Sequence, residues 1–367
     1  MAVSCTNLVF IYSAFFLCCI IFSVLINGLF LKFVKTLGIR NPVDGTVIRW
    51  GTQSKPAIGG ISFYIIFLFS IAAYSLSINT VLIAHYKQFL GLLMASTLGF
   101  LLGLADDAYN TNPILKFLAQ LLCGLILVVT GTFIQLFDND CLNYIMTLFW
   151  VIGIMNSINM LDNMDGITTV VALVIVLGTL AVLCLENNFS DINFIILIGV
   201  FAALIGFLVF NWPPSRIYMG DTGSQFLGIF LATIGIVYFW NAPKAGLLTD
   251  SVFCEIAVPV LVFAIPIFDT SFVVLNRLRK KTSPFIGGRD HTTHRLAYLG
   301  FLEHEVVLIV FGFSLLSTGL AIYLIKFATT YNFTFFLVLF IYLSAILCSF
   351  ISICKRTIKH AKIKSTI

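Results

Sequence analysis

Four short polar segments interrupt an otherwise apolar chain, and each carries residues able to hold a metal ion or a phosphate. In GLADDAYNTNPILKFLAQ (103–120), the adjacent acids Asp106 and Asp107 precede Pro113, Lys116 and Gln120. Paired acids facing a Lys across a tight turn suit a metal–phosphate site; the alternative is interfacial anchoring with a snorkelling Lys. In MNSINMLDNMDG (155–166), Asn156 and Asn159 are three apart, as are Asp162 and Asp165. That spacing puts each pair on one side of a helix. Helix capping explains one or two of these four residues, not all of them. In FNWPPSRIYMGDTGSQFLG (210–228), Asn211 precedes a Pro pair, and Asp221 lies between Gly220 and Gly223. Glycines let backbone approach a ligand closely. Asp221 suits Mg²⁺, which takes few protein carboxylates beside waters and substrate phosphates.

The last segment, NRLRKKTSPFIGGRDHTTHRLAYLG (276–300), is the most basic. Arg277, Arg279, Lys280 and Lys281 read most simply as a topological signal or as contacts to anionic headgroups. Arg289, His291, His294 and Arg295 around a Gly-Gly turn suit a diphosphate. His291 and His294 share a face if the segment is helical. No Cys accompanies them, so the set does not suit zinc. A smaller stretch, KPAIGG (55–60), offers Lys55 to a phosphate or a lipid headgroup.

The surroundings make these groups informative. The chain is 60% hydrophobic and only 10% charged, with mean hydropathy +1.05, where a soluble domain has about a quarter of its residues charged. Continuous apolar runs, without the alternation of a membrane β-barrel, predict an all-α polytopic membrane protein. Eleven spans are expected, near 8–30, 58–78, 86–104, 114–134, 142–159, 168–185, 192–210, 224–240, 253–273, 303–324 and 332–352. The first run is too long for a signal-peptide core and has no basic residue before it, so it is expected to remain as a span. The nine Cys are scattered, without metal-ligand spacing. One transmembrane domain (1–355) and a basic tail (356–367) are expected, with the largest loop at 274–302.

Eleven spans sort 18 of the 21 Lys and Arg to one side, leaving Lys87, Lys244 and Lys326 on the other. The positive-inside rule then places the N-terminus outside and the tail in the cytoplasm. All the acids singled out above fall on the cytoplasmic side, although carboxylates contribute little to topology. Clustered acids, His, Lys and Gly-rich turns at one membrane face suit metal-assisted transfer of a phosphate. No G-x-x-x-x-G-K-[ST] is present, so ATP hydrolysis is not suggested, and no nucleic-acid partner is expected. A transporter would instead place ionisable groups near the midplane, between inverted repeats.

Five motifs, KPAIGG (55–60), DDAYN (106–110), NSINMLDNMDG (156–166), NWPPSRIYMGDTGS (211–224) and RDHTTHRL (289–296), resemble in order those of the polyprenyl-phosphate N-acetylhexosamine-1-phosphate transferases. The resemblance implies transfer of a sugar 1-phosphate from a UDP-N-acetyl sugar to polyprenyl phosphate, releasing UMP, with Mg²⁺ (or Mn²⁺) as cofactor. It makes Asp221 the metal ligand, and Asp106 and Asp107 the acids near the attacking phosphate. It gives Lys116 a phosphate contact, has Asp162 and Asp165 shape the nucleotide–metal site, and lays His291 and His294 over the substrate. Lys55, Asn156, Asn159, Asn211 and Arg289 are expected to contact substrate. Many N-acetylglucosamine 1-phosphate transferases carry His-x-His-His where this chain has His291-Thr292-Thr293-His294, and the run of adjacent His of the muramoyl-pentapeptide branch is absent. N-acetylglucosamine 1-phosphate is therefore the expected group, with another N-acetylated sugar as the alternative, for an envelope polysaccharide. A homodimer is compatible with the resemblance.

Overall fold

In hydrocarbon, a backbone has no hydrogen-bond partner but itself, so a spanning apolar run folds as a helix. The computed structural model describes residues 5–37, 55–77, 86–189, 191–242, 252–283 and 288–327, together with Tyr342 and Ser344. Within these, the first ten expected spans are helical. The helices are α1 (Cys5–Leu37), α2 (Gly59–Ser77), α3 (Tyr86–Tyr109), α4 (Pro113–Val129), α5 (Asp140–Leu161), α6 (Ile167–Leu185), α7 (Ile192–Asn211), α8 (Gly220–Gly235, continued by a π-helical turn Ile236–Trp240), α9 (Val252–Val262), α10 (Ala264–Arg279), α11 (Thr292–Tyr298) and α12 (Glu303–Phe327). Among the described residues, seven helices are long and apolar enough to cross a membrane, eight if α9 and α10 count as one span, while α2 and α4 are shorter apolar helices. The chain is an all-α polytopic membrane protein. The eleventh span and the basic tail lie outside the described residues, apart from Tyr342 and Ser344.

The ninth span departs from expectation. It is a pair of helices bent by 82° at Phe263. Pro266 stands four residues after Val262, where its ring meets the carbonyl that a continuous helix would have used, and Pro259 lies inside α9. The bend carries α10 away from the direction of α9 and packs it against α5.

α8 is the central helix. Its apolar window is 94% buried, against 11% for α1, and it packs on α2, α3 and α5. At its start the contacts are backbone on backbone. A Cβ on Gly60 would collide with the main chain of Gly223 and Thr222, and one on Gly103 with that of Asp221 and Thr222. The segment before α2 adds a parallel bridge, Ala57 to Tyr218. Three helices therefore meet at one point, and that point is the start of α8.

Candidate active site

The first turn of α8 leaves its amide N–H groups without helical acceptors. Asp107, from the end of α3, accepts from them: Asp221 N at 3.1 Å, Thr222 N at 2.8 Å and Thr222 Oγ1 at 2.7 Å. A carboxylate at a helix N-terminus also complements the helix dipole. Gly220 makes the turn into the helix at φ +74°, with Asp107 and the Ala57 carbonyl so close that a Cβ would clash.

This arrangement fixes Asp221. Asn159 Nδ2, from α5, donates to Asp221 Oδ1 at 2.7 Å and to Ser224 Oγ at 2.8 Å. The carboxyl groups of Asp221 and Asp106 face each other. Asp106 is itself buried; Oδ1 accepts from Thr111 N and Oγ1, both at 2.8 Å, and Oδ2 pairs with Lys116 at the start of α4. Asn112 caps α4 through Ile114 N at 2.9 Å, which sets where Lys116 begins its turn.

A second wall joins three segments distant in sequence. Asp165 Oδ2 accepts from Ser215 N at 2.7 Å and from Lys55 Nζ at 3.3 Å, and Lys55 also reaches Ser215 Oγ at 3.2 Å. The Lys55 ammonium lies 5.2 Å from the centroid of the Tyr218 ring. Asp162 ends α5 at its C-cap and is half-buried beside this wall.

The His segment is pinned at successive residues. Arg277 of α10 holds Asp290 bidentately, at 2.7 and 3.0 Å. Asp269, two turns earlier on α10 and 2% exposed, accepts from His291 Nδ1 at 2.7 Å and Thr292 N at 2.8 Å. Thr293 Oγ1 donates to Asn163 Oδ1 at 2.7 Å, joining α11 to the turn after α5. Arg295 Nε reaches the Asp290 carbonyl at 3.1 Å. Partial burial opposes ionisation of Asp290, but the Arg277 guanidinium outweighs it and holds the carboxyl below its ordinary range. Burial, followed by neighbouring His291, pushes His294 down to about 4, so its imidazole is neutral at physiological pH.

The structure thus gathers Asp106, Lys116, Asn159 and Asp221 at the start of α8, Lys55 and Asp165 in a second wall, and His291 and His294 at the N-cap and in the first turn of α11. Arg289 is exposed, two residues before His291. Two expected substrate contacts, the buried Asn211 and the half-buried Asn156, spend their amides on the protein itself. Asn211 is 2% exposed; its Oδ1 accepts from Gly166 N and Thr169 Oγ1, and its Nδ2 donates to the Ile217 carbonyl. Asn156 commits its amide to Gln120 and to the Ile152 carbonyl. Both support the frame through these bonds, Asn211 as a buried amide that must spend its hydrogen bonds where partners exist. Asp107 likewise spends its oxygens on α8. Asp269 lies near the end of the expected ninth span (253–273), and nothing in its spacing links it to a His 22 residues on; Asn163 and Ser215 carried no signal beyond their place in polar segments.

Among the described residues, no three His, Cys, Asp or Glu gather as a metal cluster. The donor set is the Asp106–Asp221 pair. Two neighbouring carboxyl groups favour a shared proton or a cation between them, and two carboxylates suit Mg²⁺, which completes its shell with water and phosphate oxygens. The residues present fit that ion.

The signature of glycosyl transferase family 4 matches residues 89–239, which span α3 to α8. A probable undecaprenyl-phosphate N-acetylglucosaminyl 1-phosphate transferase of Bacillus subtilis is 29% identical over 265 residues, covering 70% of this chain and 69% of the relative. A decaprenyl-phosphate N-acetylglucosaminephosphotransferase of Mycolicibacterium smegmatis is 25% identical over 291 residues, covering 71% and 69%. A phospho-N-acetylmuramoyl-pentapeptide-transferase of Lactobacillus acidophilus is 30% identical over 240 residues, covering 58% and 70%. The chain belongs to glycosyl transferase family 4, in its polyprenyl-phosphate N-acetylhexosamine-1-phosphate transferase branch.

Proposed function

We propose that this protein transfers N-acetylglucosamine 1-phosphate from UDP-N-acetylglucosamine to a polyprenyl phosphate, forming polyprenyl-diphospho-N-acetylglucosamine and UMP at the cytoplasmic face of the membrane. The observation that carries the reading is the junction of Asp106, Lys116, Asn159 and Asp221 at the start of α8. In the reaction an oxygen of the lipid phosphate attacks the β-phosphorus of the UDP-sugar. The new P–O bond forms as the bond to the α-phosphate oxygen breaks, and UMP leaves with that electron pair. A lipid phosphate is largely ionised near neutral pH, so the attack needs orientation more than a strong base.

Lys116 and Lys55 bring positive charge to the diphosphate and neutralise charge that builds on the transferring group. Asp106 and Asp221 would hold Mg²⁺, which when bound neutralises and orients phosphate oxygens. Asn159 holds Asp221 in one rotamer by the bond to its Oδ1. Asp165 orients Lys55. His291, held at Nδ1 by Asp269, has Nε2 left for a phosphate or sugar oxygen. Thr293 stands where many relatives of this type carry a third His, and its bond to Asn163 keeps the segment docked without that imidazole.

Purified protein in detergent, given Mg²⁺, undecaprenyl phosphate and each of several UDP-sugars, tests the reading by UMP release. Release with UDP-N-acetylglucosamine and little with UDP-N-acetylmuramoyl-pentapeptide is the expected result. Release with the pentapeptide donor alone would overturn the choice of sugar. No release with any UDP-sugar from folded protein would overturn the transferase reading.

A further inference from the structure

One helical turn beneath the charged residues lies a layer of three amides. Gln120 Nε2 donates to Asn156 Oδ1 at 3.3 Å and to Gln225 Oε1 at 3.2 Å. Asn156 Nδ2 returns a bond to Gln120 Oε1 at 2.8 Å. Gln120 and Gln225 are each 1% exposed. The three belong to α4, α5 and α8, and each is one turn deeper on its own helix than a site residue. Gln120 follows Lys116 by four positions, Gln225 follows Asp221 by four, and Asn156 precedes Asn159 by three.

We infer that Gln120, Asn156 and Gln225 are positioning residues that set the relative depth of α4, α5 and α8, and through it the spacing of Lys116, Asn159 and Asp221. This rests on the transferase reading above. Apolar side chains in the same positions would pack about equally well after a small slide of one helix along another. Hydrogen bonds do not allow that freedom: one residue of slide is about 1.5 Å, enough to break a bond of 3 Å. Stability alone is a weak reason to keep three amides in such an interior, because interhelical polar bonds in membranes contribute little on average. A reacting centre has a strong reason, since misplacement by about 1 Å is felt as a loss of up to about a hundredfold in rate.

The test compares Gln120→Leu, Gln225→Leu, the triple variant Gln120→Leu/Asn156→Leu/Gln225→Leu, and the swap Gln120→Asn/Asn156→Gln. Each is checked by gel filtration and thermal melting in detergent, then assayed with UDP-N-acetylglucosamine and undecaprenyl phosphate. Positioning predicts that kcat falls about tenfold or more in both single variants, with KM for the UDP-sugar within about twofold. The triple variant has no orphaned amide, so it should melt near the wild type while kcat stays low. The swap conserves the amide pair and should recover much of kcat. Full kcat in a single variant, or kcat restored in the triple along with its stability, overturns the inference. An inactive wild type would instead overturn the transferase reading, so the two failures are distinct.

Discussion

Asp269 Oδ2 lies 2.7 Å from Nδ1 of His291, and the same carboxylate accepts the N–H of Thr292 at 2.8 Å. A buried carboxylate at Nδ1 holds the proton there and fixes the plane of the ring, as carboxylates do for metal-bound and catalytic His. Asp269→Asn removes the charge but keeps the shape. It should lower kcat on the order of 10–100-fold, with the protein still inserted and monodisperse. Unchanged UMP release in this variant would show that His291 needs no orienting partner.

Asp107 and its neighbour Asp106 are held differently. The hydrogen bonds of the Asp107 carboxylate go to the first turn of α8. Asp107→Ala should therefore lower thermal stability by about 1–2 kcal/mol, the range for loss of a helix cap, as well as lowering activity. Asp106→Ala, which removes a group facing Asp221, should abolish UMP release with a smaller change in melting temperature. If the two variants show the same ratio of stability loss to activity loss, the division between cap and site is wrong.

Thr293 ties α11 to the turn after α5 through Asn163. Thr293→Val keeps the shape and removes the donor. KM for the UDP-sugar should rise several-fold, because the segment is less firmly held over the substrate. Asn163→Ala should give the same effect, and the double variant no more than either alone. Additive effects would show that the two residues act independently.

The low pKa of His294 sets a pH dependence of stability. In the unfolded chain this imidazole takes a proton near pH 6.5, and in the folded protein only near 4. The unfolded state binds more protons between these values, so stability falls as pH drops from about 6.5 towards 4. At pH 5 the loss is about 2 kcal/mol. Asp290 contributes in the same direction but in a lower window: its pKa is lowered, so its stabilisation is present above the ordinary carboxylate range and is lost only on stronger acidification. Melting curves from pH 7 to pH 5 should show the fall, and His294→Gln should flatten it. An equally steep fall in the variant would assign the effect to another group.

Much of the fold was legible because hydrocarbon forces an apolar run into a helix. The first ten apolar segments became helical, and the charge asymmetry grouped the segments whose residues now touch: Lys55 with Asp165, Asp107 with Thr222, and Thr293 with Asn163. The bend at Phe263 was not read, although Pro259 and Pro266 mark it, since proline in an apolar run also occurs in unbroken membrane helices. The residues of the site were legible as types but not as roles. Asp106 and Asp107 are adjacent in sequence and point to different tasks, because a helix turns about 100° between them. Asn156 and Asn159 share a side of α5, as their spacing required, yet stand in successive layers. Asp269 acquired its partner only through the direction that α10 takes after the bend.

The backbone seam of Gly60, Gly103 and Gly223 beneath Asp221 bears on how far the sequence around the site can drift. The seam is buried main chain packed on main chain, and a larger residue at Gly60 or Gly103 would drive into the peptide units that carry Asp221 and Thr222. A change there reaches the site without touching any charged side chain, because whatever parts the helices also displaces Asp221.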